Sequence, residues 1–270
     1  WNGSSLKNKK IIIYIEQGIG DSIQFIRYIK NIEKKNTKIY LYTKEYLKFL
    51  FQAIDEVDRI ILDTEDLPKS DFYISLMSLP FIFKKNKQIP KPYNFFPKNK
   101  KLDLYWNNKI NKSKPNIGLA WQGDKINNKN DYKRSISISL LEPIINLKKL
   151  NFISLQKNFD INEVELLHKD KNIVNFFDNI DKRPFEDTIS IIKNLDIIIT
   201  VDTAIAHVAA TLGKETLILL PFVPDFRWGL NSENTKWYKS VKLFRRKKTD
   251  SWKDVILKIK KYLKTKYRIQ

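Results

Sequence analysis

The stretch from Asp196 to Pro221, DIIITVDTAIAHVAATLGKETLILLP, limits the possible folds more than any other part of the chain. Its apolar run Ile197 to Val201 is too short for a helix and rich in β-branched residues, which predicts a buried parallel strand. Asp202 and Thr203 follow at once, and both are good helix N-cap residues. The small residues Ala204, Ala206, Ala209 and Ala210 then let a helix lie close on a sheet. Gly213 stands where a helix C′ glycine belongs, and Thr216 to Leu220 reads as a second strand. A strand–helix–strand unit of this kind opens its helix N-terminus at the carboxyl edge of the sheet, where open α/β sheets bind ligands. Free N–H groups and a positive dipole end there suit an anion such as a diphosphate. His207, one of two histidines in the chain, sits one turn in, on the face of Thr203.

The remainder repeats the same alternation. Lys10 to Glu16 reads as a strand, and the turn Gln17-Gly18-Ile19-Gly20-Asp21 leads to a helix with Ile23, Ile26, Ile29 and Ile32 on one face. Two of only seven glycines fall in that turn, so it reads either as a tight turn capped by Asp21 or as a glycine loop whose carboxylate faces a ligand. It lacks the third glycine of the dinucleotide fingerprint, which makes a Rossmann dehydrogenase a poor fit. Strands at 38–42, 59–62 and 72–75 and a helix at 46–53 complete a first α/β run. Residues 84–114 change character, with three prolines and many lysines in KKNKQIPKPYNFFPKNKK, and 99–114 is the linker expected between domains 1–98 and 115–250. The second run has strands at 116–121, 151–155, 172–176 and 240–244 around the opening stretch. Helices are expected at 139–148, 161–169 and 185–194, with a polar loop at 122–137 and an aromatic loop after Pro221. A last amphipathic helix spans 251–265.

Composition narrows the function classes. A chain of 270 residues is long enough for two domains. Its net charge of +20 comes from lysine in a sequence saturated with Ile, Lys and Asn, as an AT-rich genome gives, and this weakens any link from basicity to nucleic acid. No specific nucleic-acid partner is expected, since no recognition motif accompanies the charge. The absence of cysteine excludes disulfides and thiolate metal sites. No run of about 20 apolar residues, as a membrane span needs, occurs. A cytoplasmic protein is expected, with the basic surface open to a peripheral contact at the inner face of the membrane. From the start at Trp1, with no methionine, a piece of a longer protein is expected.

Asp202-Thr203-Ala204-x-x-His207, after a strand and before Ala-Ala-x-Leu-Gly, resembles the donor-site motif of the heptosyltransferase-like glycosyltransferases of family 9. It is most similar to the branch found C-terminal to tetratricopeptide repeats. Further blocks in order resemble the same family: Trp1-x-Gly3, EQGIGDSIQFIRYI (16–29), IGLAWQGD (117–124), Arg134-Ser135, SLQK (154–157), LPFVPDFRW (219–228), KWY (236–238) and LFR (243–245). The resemblance implies two Rossmann-like domains in a GT-B architecture, whose last helix commonly returns to the first domain. It also implies sugar transfer from a nucleotide-diphosphate sugar to a hydroxyl acceptor on a glycan, lipopolysaccharide or protein, with inversion and without metal or other cofactor. The sequence has no Asp-x-Asp pair of the kind metal-dependent glycosyltransferases use.

Within that reading, Asp202, Thr203 and Ala204 bind the donor at the helix N-terminus, and His207 donates to phosphate or sugar. Arg134 suits a diphosphate through its planar fork, and Lys157 would add a point charge beyond the strand ending near Gln156. Trp121 and Gln122 would border the donor. Arg227 and Trp228, with Gln17, Gly18 and Gly20, fall on the sugar or acceptor side. Asp21 is the candidate general base from the other domain, because base and leaving group must flank the anomeric carbon. A helix N-terminus stabilises a carboxylate in its charged form, which keeps a plain helix-capping role open for it. The competing readings are an epimerase or hydrolase on the same fold and a catalytically degenerate nucleotide-binding scaffold of a repeat protein.

Overall fold

The structure, a computed structural model, describes residues 1–84, 89–123, 131–157, 163, 173–176 and 185–270. They fall into two compact units, one of Trp1–Asn99 with Asp181–Asp187 and one of Lys100–Ile180 with Thr188–Gln270.

The first unit holds strands β1 (Lys10–Tyr14), β2 (Lys38–Thr43), β3 (Arg59–Leu62) and β4 (Phe72–Ser75). They form a wholly parallel sheet in the order β3-β2-β1-β4, with Ile13 paired to Leu41 on one side and Ile74 on the other. The segment after β1 begins as the α-helix Ile19–Phe25 and tightens to a 3₁₀-helix over Ile26–Asn31, where a single α-helix is expected from the sequence. The apolar spacing accounts for the change. Ile23, Ile26 and Ile29 recur every third residue, and a 3₁₀-helix lines up positions three apart on one edge, here fully buried.

The second unit holds β5 (Asn116–Ala120), β6 (Asn151–Ser154), β7 (Ile173–Val174), β8 (Ile197–Val201), β9 (Glu215–Leu220) and β10 (Val241–Arg245). All run parallel in the order β10-β9-β8-β5-β6-β7. Central strands β5 and β8 are buried at every position, as the continuous apolar run of β8 requires. β9 serves both faces of the sheet by alternation. Leu217 and Leu219 join a core with Ile117, Leu119, Ile199 and Val201, while Ile218 and Leu220 pack with Ala206, Ala210, Trp228 and Tyr238. The Ala204–Thr211 helix therefore lies on the sheet through its alanines, and it ends at Gly213, whose φ of +74° suits glycine.

Two expectations change here. Part of the expected linker is a helix, Lys100–Lys109, belonging to the second unit. It lacks a clear apolar stripe because it is fixed by one tryptophan and one carboxylate. Trp106 is fully buried, and Asp103 accepts from Ser190 Oγ at 2.7 Å and pairs with Lys193 at 2.9 Å. The terminal helix, Trp252–Tyr267, belongs to the second unit. Its stripe Val255, Ile256, Ile259 and Leu263 fills the same core as β5, β8 and β9. The expected helix at 139–148 is a 3₁₀ turn, Ile138–Leu141, followed by one α turn, Glu142–Ile145, with Pro143 as its second residue. Apart from Glu163, the expected helix at 161–169 lies outside the described residues.

Candidate functional site

In the second unit the chain runs from β5 outward to β6 and β7, then crosses to β8, β9 and β10 on the other side. The strand order thus reverses between β5 and β8, and a crevice opens at the carboxyl ends of these two strands. Trp121 and Gln122 leave β5 there, and Asp202 and Thr203 leave β8.

Thr203 is the extended N-cap of the Ala204–Thr211 helix. Its hydroxyl does not cap the first-turn amides, because it shares a 3.2 Å hydrogen bond with Thr200 Oγ1. Asp202 is only 7% exposed. Burial raises its pKa above the ordinary carboxylate value, against the opposing charges of Arg227 and Arg134 and the nearby Trp228 indole; Asp225 adds to the rise. The indole N–H is buried without a closed hydrogen bond. Two arginines from separate loops, Arg134 and Arg227, thus act on one buried carboxylate beside a helix N-terminus.

His207, fully enclosed one turn into the helix, stacks on Trp228 with ring centroids 5.5 Å apart. Its Nδ1 lies 3.0 Å from Tyr238 Oη and its Nε2 3.3 Å from Arg227 Nη1. Arg227 Nε donates to Asp225 Oδ1 at 2.8 Å, and Asp225 also caps the 3₁₀ turn Phe226–Trp228. A chain of polar contacts therefore runs Tyr238–His207–Arg227–Asp225.

On the β5 side, the amides of Trp121 and Gln122 both donate to Gln156 Oε1, at 3.1 and 3.0 Å, tying the ends of β5 and β6 together. The Trp121 indole and the Gln122 amide group donate to the buried Glu163 carboxylate at 3.2 and 2.6 Å. Both side chains are thus committed to an internal network, with the Trp121 ring in the core. Arg134 Nε donates to the buried Asp131 at 2.7 Å, and Asp131 also accepts from Ser135 Oγ and, at 3.0 Å, from Gly123 N. Lys157 is exposed, three residues past the end of β6.

The remaining sequence-derived residues belong to the first unit, where the strand order reverses between β1 and β4. Gln17 and Gly18 are exposed there, while Gly20 and Asp21 are half-buried in the first turn of the Ile19–Phe25 helix. Glu16 joins the ends of the two strands, accepting from Ser75 Oγ and, at 3.2 Å, from Met77 N.

Solved structures share this arrangement of two parallel sheets. The glycosyl transferase of family 9 from Veillonella parvula superposes with a TM-score of 0.68 at 11% identity, over 98% of this chain and 91% of that one. The ADP-heptose lipopolysaccharide heptosyltransferase II of E. coli gives 0.60 at 11% identity, over 95% and 99%. The fold is that of the family 9 heptosyltransferases. The expected GT-B-like α/β architecture is thereby met. By sequence, Protein FlbA of Caulobacter vibrioides is 23% identical over 276 residues. The match takes in 93% of this chain and 46% of FlbA, so the chain spans just under half the length of that relative. No protein-family profile matches the chain.

Asp131, Gln156, Glu163, Asp225 and Tyr238 hold the sequence-derived residues in place through hydrogen bonds that residue-by-residue sequence reading misses. Asp225 carries a local signal, an N-cap residue two before Arg227. The other four act across 31 residues or more or across a loop, at separations with no sequence period. One glycine reports such a contact. A Cβ on Gly123 would stand 2.0 Å from Asp131 Oδ1, so Gly123→Ala must push the carboxylate off its donors. The expected cost is about 1–3 kcal/mol in urea unfolding, and a loss under 0.5 kcal/mol would show that Asp131 does not fix this loop. Among the described residues no three His, Asp or Glu side chains cluster as metal ligands, and no helix is long and apolar enough to cross a membrane.

Proposed function

We propose that this chain is an inverting, metal-independent glycosyltransferase that moves a sugar from a nucleotide-diphosphate sugar to a hydroxyl on a glycan, lipopolysaccharide or protein. The observation that carries the reading is the buried Asp202 at the β5/β8 reversal, which directly precedes a helix N-cap and feels the charges of Arg227 and Arg134. The charge that builds on a departing nucleoside diphosphate is stabilised by fixed cations and amide dipoles of this kind. A solved protein with the same fold is named for ADP-heptose, which fits a nucleotide-sugar donor. In this reading Asp202, Thr203 and Ala204 meet the donor, and Arg134 and Lys157 add positive charge. Trp121 and Gln122 hold the β5 exit in place. Asp21, with Gln17, Gly18 and Gly20, serves the acceptor, and Asp21 takes its proton.

The ordered sequence blocks also support placement in the branch that follows tetratricopeptide repeats. The protein would act in the cytoplasm. Lys253, Leu257, Lys261 and Lys264, on one side of the terminal helix, would meet the anionic inner membrane surface.

Thermal-shift measurements with ADP, UDP, GDP and CDP, each with and without EDTA, test the donor reading. One nucleotide at about 100 times its Kd should stabilise the protein by about 2.7 kcal/mol, several degrees in Tm, unaffected by the chelator. A folded sample that responds to none of the four, or to their sugars, overturns the reading. The anomeric configuration of a transferred sugar, read by NMR, tests inversion.

A further inference from the structure

His207 is the one ionisable residue of the DTAIAH motif set inside the helix, and its surroundings fix its protonation. An arginine guanidinium has donors only. At 3.3 Å from Arg227 Nη1, His207 Nε2 must therefore be the acceptor and carry no proton. A neutral imidazole has one N–H, so Nδ1 carries it and donates to Tyr238 Oη at 3.0 Å. An imidazolium would set N–H against N–H and a second positive charge beside the guanidinium, in a site where the histidine is 1% exposed. Trp228, stacked on the ring, holds it in this plane.

Arg227 is gripped twice, by Asp225 on Nε and by His207 on Nη1, and its side chain is 9% exposed. His207 stands one turn into the Ala204–Thr211 helix, so this contact places the guanidinium beside the first turns of that helix. A guanidinium fixed in this way loses little freedom when an anion arrives.

We infer that His207 is a positioning residue, a neutral Nδ1–H imidazole whose Nε2 holds the Arg227 guanidinium at the mouth of the Ala204–Thr211 helix, so that Arg227, and not the histidine, contacts the diphosphate of the donor. This rests on the nucleotide-sugar reading above, and it takes from His207 the direct donation to phosphate or sugar that the motif suggests.

Two measurements on the full chain separate the inference from that reading. With ¹⁵N-labelled histidine and His168→Asn removing the other signal, the single ring at pH 7 should show one protonated nitrogen, Nδ1. An imidazolium or an Nε2–H tautomer overturns the inference whatever the protein binds. Calorimetric titration with ADP, UDP, GDP and CDP then reads the role of Arg227. His207→Gln keeps an acceptor where Nε2 lies and should bind within about threefold of wild type. His207→Leu and Arg227→Met should each bind at least tenfold more weakly, and the double variant no more weakly than either alone. A glutamine variant as weak as leucine, or additive losses, would show that the ring itself touches the ligand. Wild-type protein that binds none of the four sinks the nucleotide reading, and with it the anion assigned to Arg227, while the tautomer result stands independently.

Discussion

Trp106→Ala is expected to destabilise the second unit by about 3–5 kcal/mol, a large share of the 5–15 kcal/mol that holds a typical domain together. The indole is fully buried and meets the Phe176 ring edge-on at 4.9 Å, with the Lys109 ammonium 5.2 Å from its centroid. Removing it leaves a cavity that a helix anchored by Asp103 to Ser190 and Lys193 cannot easily close. Urea unfolding should show the loss directly. The neighbouring Tyr105→Ala serves as control, since that ring is 49% exposed and its removal should cost under about 1 kcal/mol. Were the segment the linker that its lysines and prolines suggest, both substitutions would cost the same small amount.

The contrast shows where sequence reading carries and where it stops. β8, the Ala204–Thr211 helix and β9 are legible because each of their signals is local: a β-branched run, an N-cap pair, small residues and a C′ glycine all agree. The Lys100–Lys109 helix is hidden because a single buried tryptophan makes no periodicity, and the preceding prolines dominate the reading. The terminal helix is legible as amphipathic, but an apolar stripe does not name the surface that covers it. Past the carboxyl end of β8, Asp202 and Thr203 lead into the helix and His207 lies one turn along it, as the local signals predict. The partners that set their chemistry do not follow from it. Arg227 reaches His207 across 20 residues and Tyr238 across 31, and only the packing of the loop after β9 onto the helix brings them together. Trp121 and Gln122 show the converse, for they emerge at the expected edge while their side chains turn into a network with Glu163.

Asp202→Asn should move stability and activity in opposite directions. Burial raises the folded-state pKa of Asp202 above its value in the unfolded chain, and the charges of Arg227 and Arg134 offset this only in part. The folded protein therefore holds the Asp202 proton more tightly than the unfolded one does. That contribution to stability is present in full below the unfolded carboxylate pKa and is lost as pH rises through the raised folded value. Above that folded value the protein carries the cost of a buried carboxylate, and the neutral isostere removes it. In that range Asp202→Asn should be more stable than wild type by roughly 0.5–2 kcal/mol. The gap should shrink as pH falls, which urea unfolding at a series of pH values will show, since groups that do not interact with Asp202 cancel in the difference. Sugar transfer by the same variant should fall by on the order of 10²-fold, the usual loss when one fixed polar group leaves a site where charge develops. A carboxylate retained at a cost to folding is expected where it serves a ligand rather than the fold. An asparagine variant less stable than wild type throughout the pH series would instead make Asp202 a structural partner of the two arginines, and the proposed donor site would lose its central residue.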